Sequence, residues 1–111
     1  MKKADLFTEL IATYRTHGWR LQSALMQPQT RAEMGSDATA LLGSVPIKQA
    51  TLDALWFSRP SHNGREAWEL RLMTETQYAL FETFEADEAE EQRAEVRLEM
   101  EARLRDYVSR D

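Results

Sequence analysis

The stretch LDALWFSRPSHNGREAWELRL, residues 52–72, decides the fold. Asn63-Gly64 lies near its middle between alternating apolar residues. That is the strongest local sign of a β-hairpin, because a two-residue type I′ turn needs positive φ at both central positions, which asparagine and glycine tolerate best. The turn predicts a register in which Arg59 faces Trp68, Ser58 faces Glu69, Phe57 faces Leu70, Trp56 faces Arg71 and Leu55 faces Leu72. Alternation then gathers Leu55, Phe57, Trp68, Leu70 and Leu72 with Arg59 on a core face, and Trp56, Ser58, Glu69 and Arg71 on the other. On that second, wet face Trp56 and Arg71 oppose each other as a cation–π pair contributing about 0.5–1 kcal/mol. Pro60 cannot donate to a ladder, so a longer tip over Pro60 to Gly64 is the competing geometry.

Outward from the hairpin, the chain reads as helices and strands in turn. Leu6, Phe7, Leu10, Ile11 and Tyr14 recur at three- and four-residue steps and predict a helix over Ala4 to His17, stopped by Gly18. Trp19 to Gln27 alternates and predicts a strand ended by Pro28. Residues 28–51 predict a single turn at Thr30 to Glu33, another at Asp37 to Leu42, and a short extended edge at Val45-Pro46-Ile47. Tyr78 to Glu85 fits either a strand or a backward extension of the last helix, and its aromatic content favours the strand. Asp87 and Glu90 predict the start of a final helix with Ala89, Val96, Met100, Leu104, Tyr107 and Val108 on one face and i,i+4 pairs Glu99–Arg103 and Glu101–Arg105.

The expected fold is one α+β domain over 1–111: an N-terminal helix, a four-stranded, mainly antiparallel sheet with the central hairpin at 52–73, and a long C-terminal helix. Both long helices are expected on one sheet face, which leaves the Trp56 side for a ligand or a partner. With 111 residues the chain buries about 65% of its unfolded surface, enough for a core without cross-links.

Composition excludes several functions. There is no cysteine, hence no disulfide and no thiolate chemistry. The net charge is −5, and residues 85–111 carry all of it, with 10 acids against 5 bases. A phosphate backbone finds no basic footprint here, so nucleic acid is not an expected partner. No apolar run reaches the ~20 residues of a membrane span and the N-terminus has no secretory pattern, which makes the cytoplasm the expected compartment. His17 and His62 belong to no metal-binding spacing, the four glycines form no phosphate loop, and SRPSH has no orienting carboxylate, so neither metal, cofactor nor catalytic residue is expected.

Two sets of candidates remain. Trp56, Arg59, His62, Arg65, Trp68 and Arg71 concentrate guanidinium and indole groups suited to a carboxylate, a phosphate or an aromatic partner group. On the last helix, Glu88, Glu91, Glu95, Glu99 and Asp106 form an acidic stripe, and Leu98, flanked by Ala94 and Ala102, lies opposite the main apolar face as a candidate subunit contact. The function these features support is a small protein-interaction or adaptor-like module, homodimeric and not an enzyme. The alternative is a small-ligand sensor with a pocket between the sheet and the 28–51 crossover.

Overall fold

The computed structural model describes residues 2–110. Helix α1 (Lys3–Thr16) leads through Gly18, at φ +84°, into strand β1 (Arg20–Met26). Two short helices follow, α2 (Pro28–Met34) and α3 (Ser36–Leu42), then β2 (Ile47–Gln49), β3 (Ala54–Pro60), β4 (Glu66–Leu72), β5 (Ala79–Phe84) and α4 (Glu90–Ser109). The sheet order is β2-β1-β3-β4-β5. Residues 79–84 are therefore strand, as their aromatic content favoured.

Two features of the expected sheet need correction. It has five strands, and β2 pairs parallel to β1, Ala24 against Ile47 and Leu25 against Lys48. The crossover that delivers β2 is more helical than a pair of isolated turns. Pro28 sits in the first turn of α2, where its missing N–H removes nothing, and its fixed φ suits the helix. No local side chain caps α2; instead buried Asp53 accepts the Gln27 N–H at 2.9 Å and the Thr30 hydroxyl at 2.7 Å from across the fold.

The second correction is the hairpin register, which is displaced by one residue. Trp56 lies across from Leu70, Leu55 from Arg71, Phe57 from Glu69 and Pro60 from Glu66. A two-residue tip is not formed: Ser61 to Arg65 make the turn, with a 3-10 turn at His62–Gly64 and Ser61 N–H donating to Arg65 O. Asn63 and Gly64 still supply the positive φ values, 58° and 74°. Because side chains alternate, a slip of one residue carries all of β4 to the opposite face relative to β3.

This slip decides the layering. Trp56 now shares its face with Leu70, Leu72 and Trp68, an apolar surface that must be covered, and α4 covers it with Met100 and Leu104. Helix α1 packs on the opposite face, where Phe7 and Ile11 meet Leu55, Phe57 and Ala67 together with Met34 of α2 and Ala38 and Leu42 of α3. The long helices thus lie on opposite faces, and the expected bare Trp56 side does not exist: Trp56 is 2% exposed.

The start and interior of α4 also depart from expectation. Its N-cap is Ala89, without a side-chain cap, and Glu101 turns inward to Trp56 and Lys48 instead of pairing with Arg105. Glu99 and Arg103 form no pair with each other among the described residues. Tyr107 stacks flat on Tyr78, centroids 3.7 Å apart, holding the end of α4 to the segment before β5.

Candidate functional site

The slip in register disperses the arginine and tryptophan candidates. Trp56 is a core residue whose indole Nε1 donates to Glu101 at 2.9 Å and whose ring meets Trp68 edge-on at 5.9 Å. Trp68 is half-buried under the Arg97 guanidinium, 4.5 Å from its ring centroid. Arg71, 5% exposed, is on the opposite face and donates through Nη1 to Leu72 O at 2.8 Å. Arg59 lies on that face too, donating to His17 O at 2.8 Å while its guanidinium covers Trp19 at 4.4 Å. His62 and Arg65 are exposed at the hairpin tip, and Arg65 pairs with Glu85 at 2.8 Å. The structure does not gather these six residues into one patch.

Of the candidates expected on the last helix, Glu88 lies before α4 and is half-buried, whereas the others named next are on the solvent side. Glu91, Glu95 and Glu99 are exposed, and Leu98 is 55% exposed between half-buried Ala94 and Ala102.

A different arrangement emerges on the α1 face. Tyr14 stacks on Phe57 with centroids 4.2 Å apart, Trp19 lies 6.1 Å from Tyr14, and Phe81 of β5 meets Trp19 edge-on at 6.4 Å. A row of four rings therefore runs from the core to the outermost strand. It ends in the open, since Phe81 is 58% exposed. Helix α1 leaves the outer part of this face uncovered, where Glu69 and Ala79 are only half-buried beside Phe81. Tyr14 donates its hydroxyl to Glu69 there, and burial, reinforced by that carboxylate, raises the phenol well above its ordinary range.

The backbone of β5 adds a second property to this corner. Leu72 N–H donates to Tyr78 O, which makes Leu72 and Tyr78 a hydrogen-bonded pair and fixes the alternation that follows. Leu80, Glu82 and Phe84 then turn their peptide groups toward β4, whereas Ala79, Phe81 and Thr83 turn theirs outward along the sheet edge. Two outward amides at the far end are held by carboxylates: Glu82 Oε1 accepts from Thr83 N–H at 2.9 Å, and Glu88 Oε1 from Glu85 N–H at 3.0 Å. Among the described residues none lies beside Ala79 and Phe81 as a sixth strand.

Two of the clefts that border the sheet are lined by both core and surface residues. One of about 480 Å³ opens between α1, the end of α3 and the sheet, walled by Ile11, Trp19, Leu41, Val45 and Phe57 with Arg15 at its mouth. The other, about 370 Å³, holds Lys3, Asp53, Tyr78 and Tyr107. The buried carboxylates are already engaged: Asp53 by Gln27, Thr30 and Lys3, Glu101 by Trp56 and Lys48. Among the described residues no three histidines or carboxylates are placed to hold a metal, and no helix is long and apolar enough to cross a membrane.

Sequence reasoning missed Tyr14, Trp19, Glu69 and Phe81 because each reads as an ordinary member of an amphipathic element. Only the true register and the position of β5 at the edge bring them together. No protein-family model, no curated protein and no solved structure matches this chain.

Proposed function

We propose that this chain is a small cytoplasmic protein-interaction or adaptor-like module that works through the free edge of β5, without catalysis of its own. The observation that carries the reading is Phe81: a large apolar side chain, more than half exposed, on an edge strand whose peptide groups at Ala79 and Phe81 face outward. Unprotected edges invite strand addition, and natural folds usually blunt them with charge, proline or a covering element. Here, among the described residues, carboxylates hold the amides of Thr83 and Glu85 at the far end, while the centre of the edge is apolar. The acidic tail of the chain and the lack of a basic surface support a protein partner in preference to a nucleic acid.

The test is native mass spectrometry of the chain isolated from its own host, beside Phe81→Lys. A lysine on the edge should remove an assembly that the unaltered chain forms. A single-chain mass for the unaltered protein, or an assembly indifferent to Phe81→Lys, overturns the reading.

One observation favours the second reading, a small-ligand sensor. The cleft between α1, α3 and the sheet lies where the 28–51 crossover meets the sheet, and its wall includes Trp19. A metabolite seated there would quench or shift Trp19 emission, and Trp19→Phe would abolish that response. A metabolite panel that leaves the emission unchanged removes this reading.

A further inference from the structure

We infer that the occupant of the β5 edge is β5 of a second copy of this chain, running antiparallel about a two-fold axis at Phe81, so that two five-stranded sheets join into one. The inference rests on the proposed role of the edge and adds to it the partner and the register.

The backbone limits the choices. Two strands pair only where outward peptide groups meet outward peptide groups, so a two-fold axis relating two β5 edges must pass through a residue and not between two. For a strand spanning Ala79–Phe84, axes at Phe81 and at Glu82 give the greatest overlap. An axis at Glu82 sets two like carboxylates directly opposite each other, which opposes pairing. An axis at Phe81 sets Glu82 opposite Leu80 of the second copy and Ala79 opposite Thr83, so no acid of the strand faces another. It also uses the outward groups at Ala79, Phe81 and Thr83, about six new backbone hydrogen bonds for the two copies.

The side chains agree with that axis. Phe81 lies on the α1 face with Glu69 and meets its own Trp19, so the two Phe81 rings would neighbour each other across the axis with an indole behind each. Aromatic cross-strand pairs are among the stronger sheet contacts. The row of rings that ends in solvent in one copy would become continuous through both. The Glu88 carboxylate on Glu85 N–H lies just beyond this ladder and marks its end. Thr83 N–H would leave Glu82 Oε1 for Ala79 O of the second copy.

Absence of cysteine makes the test clean, because every introduced thiol is the only one in its chain. Under mild oxidation, a mixture of Ala79→Cys and Thr83→Cys should cross-link, since these positions meet as a hydrogen-bonded pair with Cα atoms about 5.5 Å apart, within disulfide range. Either variant alone should not, because like positions are about 13 Å apart along the strand. Gln92→Cys, exposed on α4, reports collisional background. Sedimentation of the unaltered chain should give twice 12.9 kDa, and Glu82→Thr, which frees the Thr83 N–H, should lower the dissociation constant severalfold.

Cross-linking of Glu82→Cys with itself in place of the mixed pair would overturn the register. A single-chain mass at every concentration, with cross-linking no higher than for Gln92→Cys, would overturn self-pairing. A host-isolated assembly that is lost with Phe81→Lys but whose mass is not a multiple of one chain would also overturn self-pairing, while leaving the edge as a contact surface.

Discussion

The Trp56 indole N–H donates to Glu101 Oε2 at 2.9 Å, fastening the middle of β3 to α4 across the second core. Glu101 is 6% exposed and takes its other bond from Lys48 Nζ at 2.8 Å. One carboxylate therefore ties α4 to strands β3 and β2 together. Without it α4 would still cover the sheet through Met100 and Leu104, but its rotation about its own axis would be less well fixed.

Glu101→Ala leaves the buried indole N–H without an acceptor, and the expected loss of unfolding free energy is about 1–3 kcal/mol. Glu101→Gln keeps an acceptor for Trp56 and gives up only the ion pair with Lys48, whose side chain is 55% exposed, so its loss should stay below about 1 kcal/mol. Urea denaturation followed by tryptophan fluorescence separates the two. Equal losses would show that the indole bond does not matter.

Asp53 plays the corresponding part on the α1 side. Its carboxylate accepts from Gln27 N–H, from the Thr30 hydroxyl and from Lys3 Nζ at 3.2 Å, thereby anchoring the starts of both α2 and α1 to the loop before β3. Asp53→Ala leaves the buried Thr30 hydroxyl and the part-buried Gln27 N–H without their acceptor and removes the partner of Lys3, and should destabilise the fold by about 2–4 kcal/mol. Thr30→Val removes one of them and should cost about 1 kcal/mol. Amide exchange should quicken through Pro28–Met34 in both variants before it does in β4.

The long helices and strands β1, β3, β4 and β5 were legible in the sequence because each carries its own periodicity: Phe7 and Ile11 mark α1, Met100 and Leu104 mark α4, and Trp68 to Leu72 alternate as a strand must, whereas β2, three residues long, is too short to carry one. The side on which α4 docks was not legible, because it follows from a single residue of hairpin register. Pro60 signalled the longer tip, yet Asn63-Gly64 is the favoured two-residue turn, and the sequence offers no local feature that weighs one against the other. Once Trp56 pairs with Leu70 and not Arg71, the face that alternation had marked as wet becomes core. The Trp19–Phe81 corner escaped for a related reason: exposure of Phe81 depends on β5 being last in the sheet, which is a property of strand order.

The hairpin tip gives a third prediction. Gly64 has φ +74°, and a Cβ there would come within 3.2 Å of Ala86 Cβ, so Gly64→Ala combines left-handed strain with a tight contact. A loss of about 1–2 kcal/mol is expected from the backbone alone. Asn63, at φ 58° and ψ 37°, occupies a region asparagine already tolerates, so Asn63→Gly should leave stability nearly unchanged. Thermal denaturation of the two variants should rank them in that order; a harmless Gly64→Ala would show that the tip can adopt another turn.

Tyr14 supplies a prediction in pH. Burial and the Glu69 carboxylate raise its phenol above the ordinary value of 10.0, so the folded chain favours the neutral phenol more than the unfolded chain does. That contribution is fully present below pH 10.0 and is lost as pH rises from there toward the folded-state value, because the unfolded chain releases its proton first. Unfolding free energy should therefore fall as the solution is made more alkaline than the ordinary tyrosine range, and Tyr14→Phe should flatten that slope while keeping the stack on Phe57. Arg71, which faces the same pair, lowers the phenol and so limits the effect. Urea titrations of both proteins across that alkaline range decide the matter: an identical slope in Tyr14→Phe would show that the Tyr14 phenol is not what couples this face to the proton.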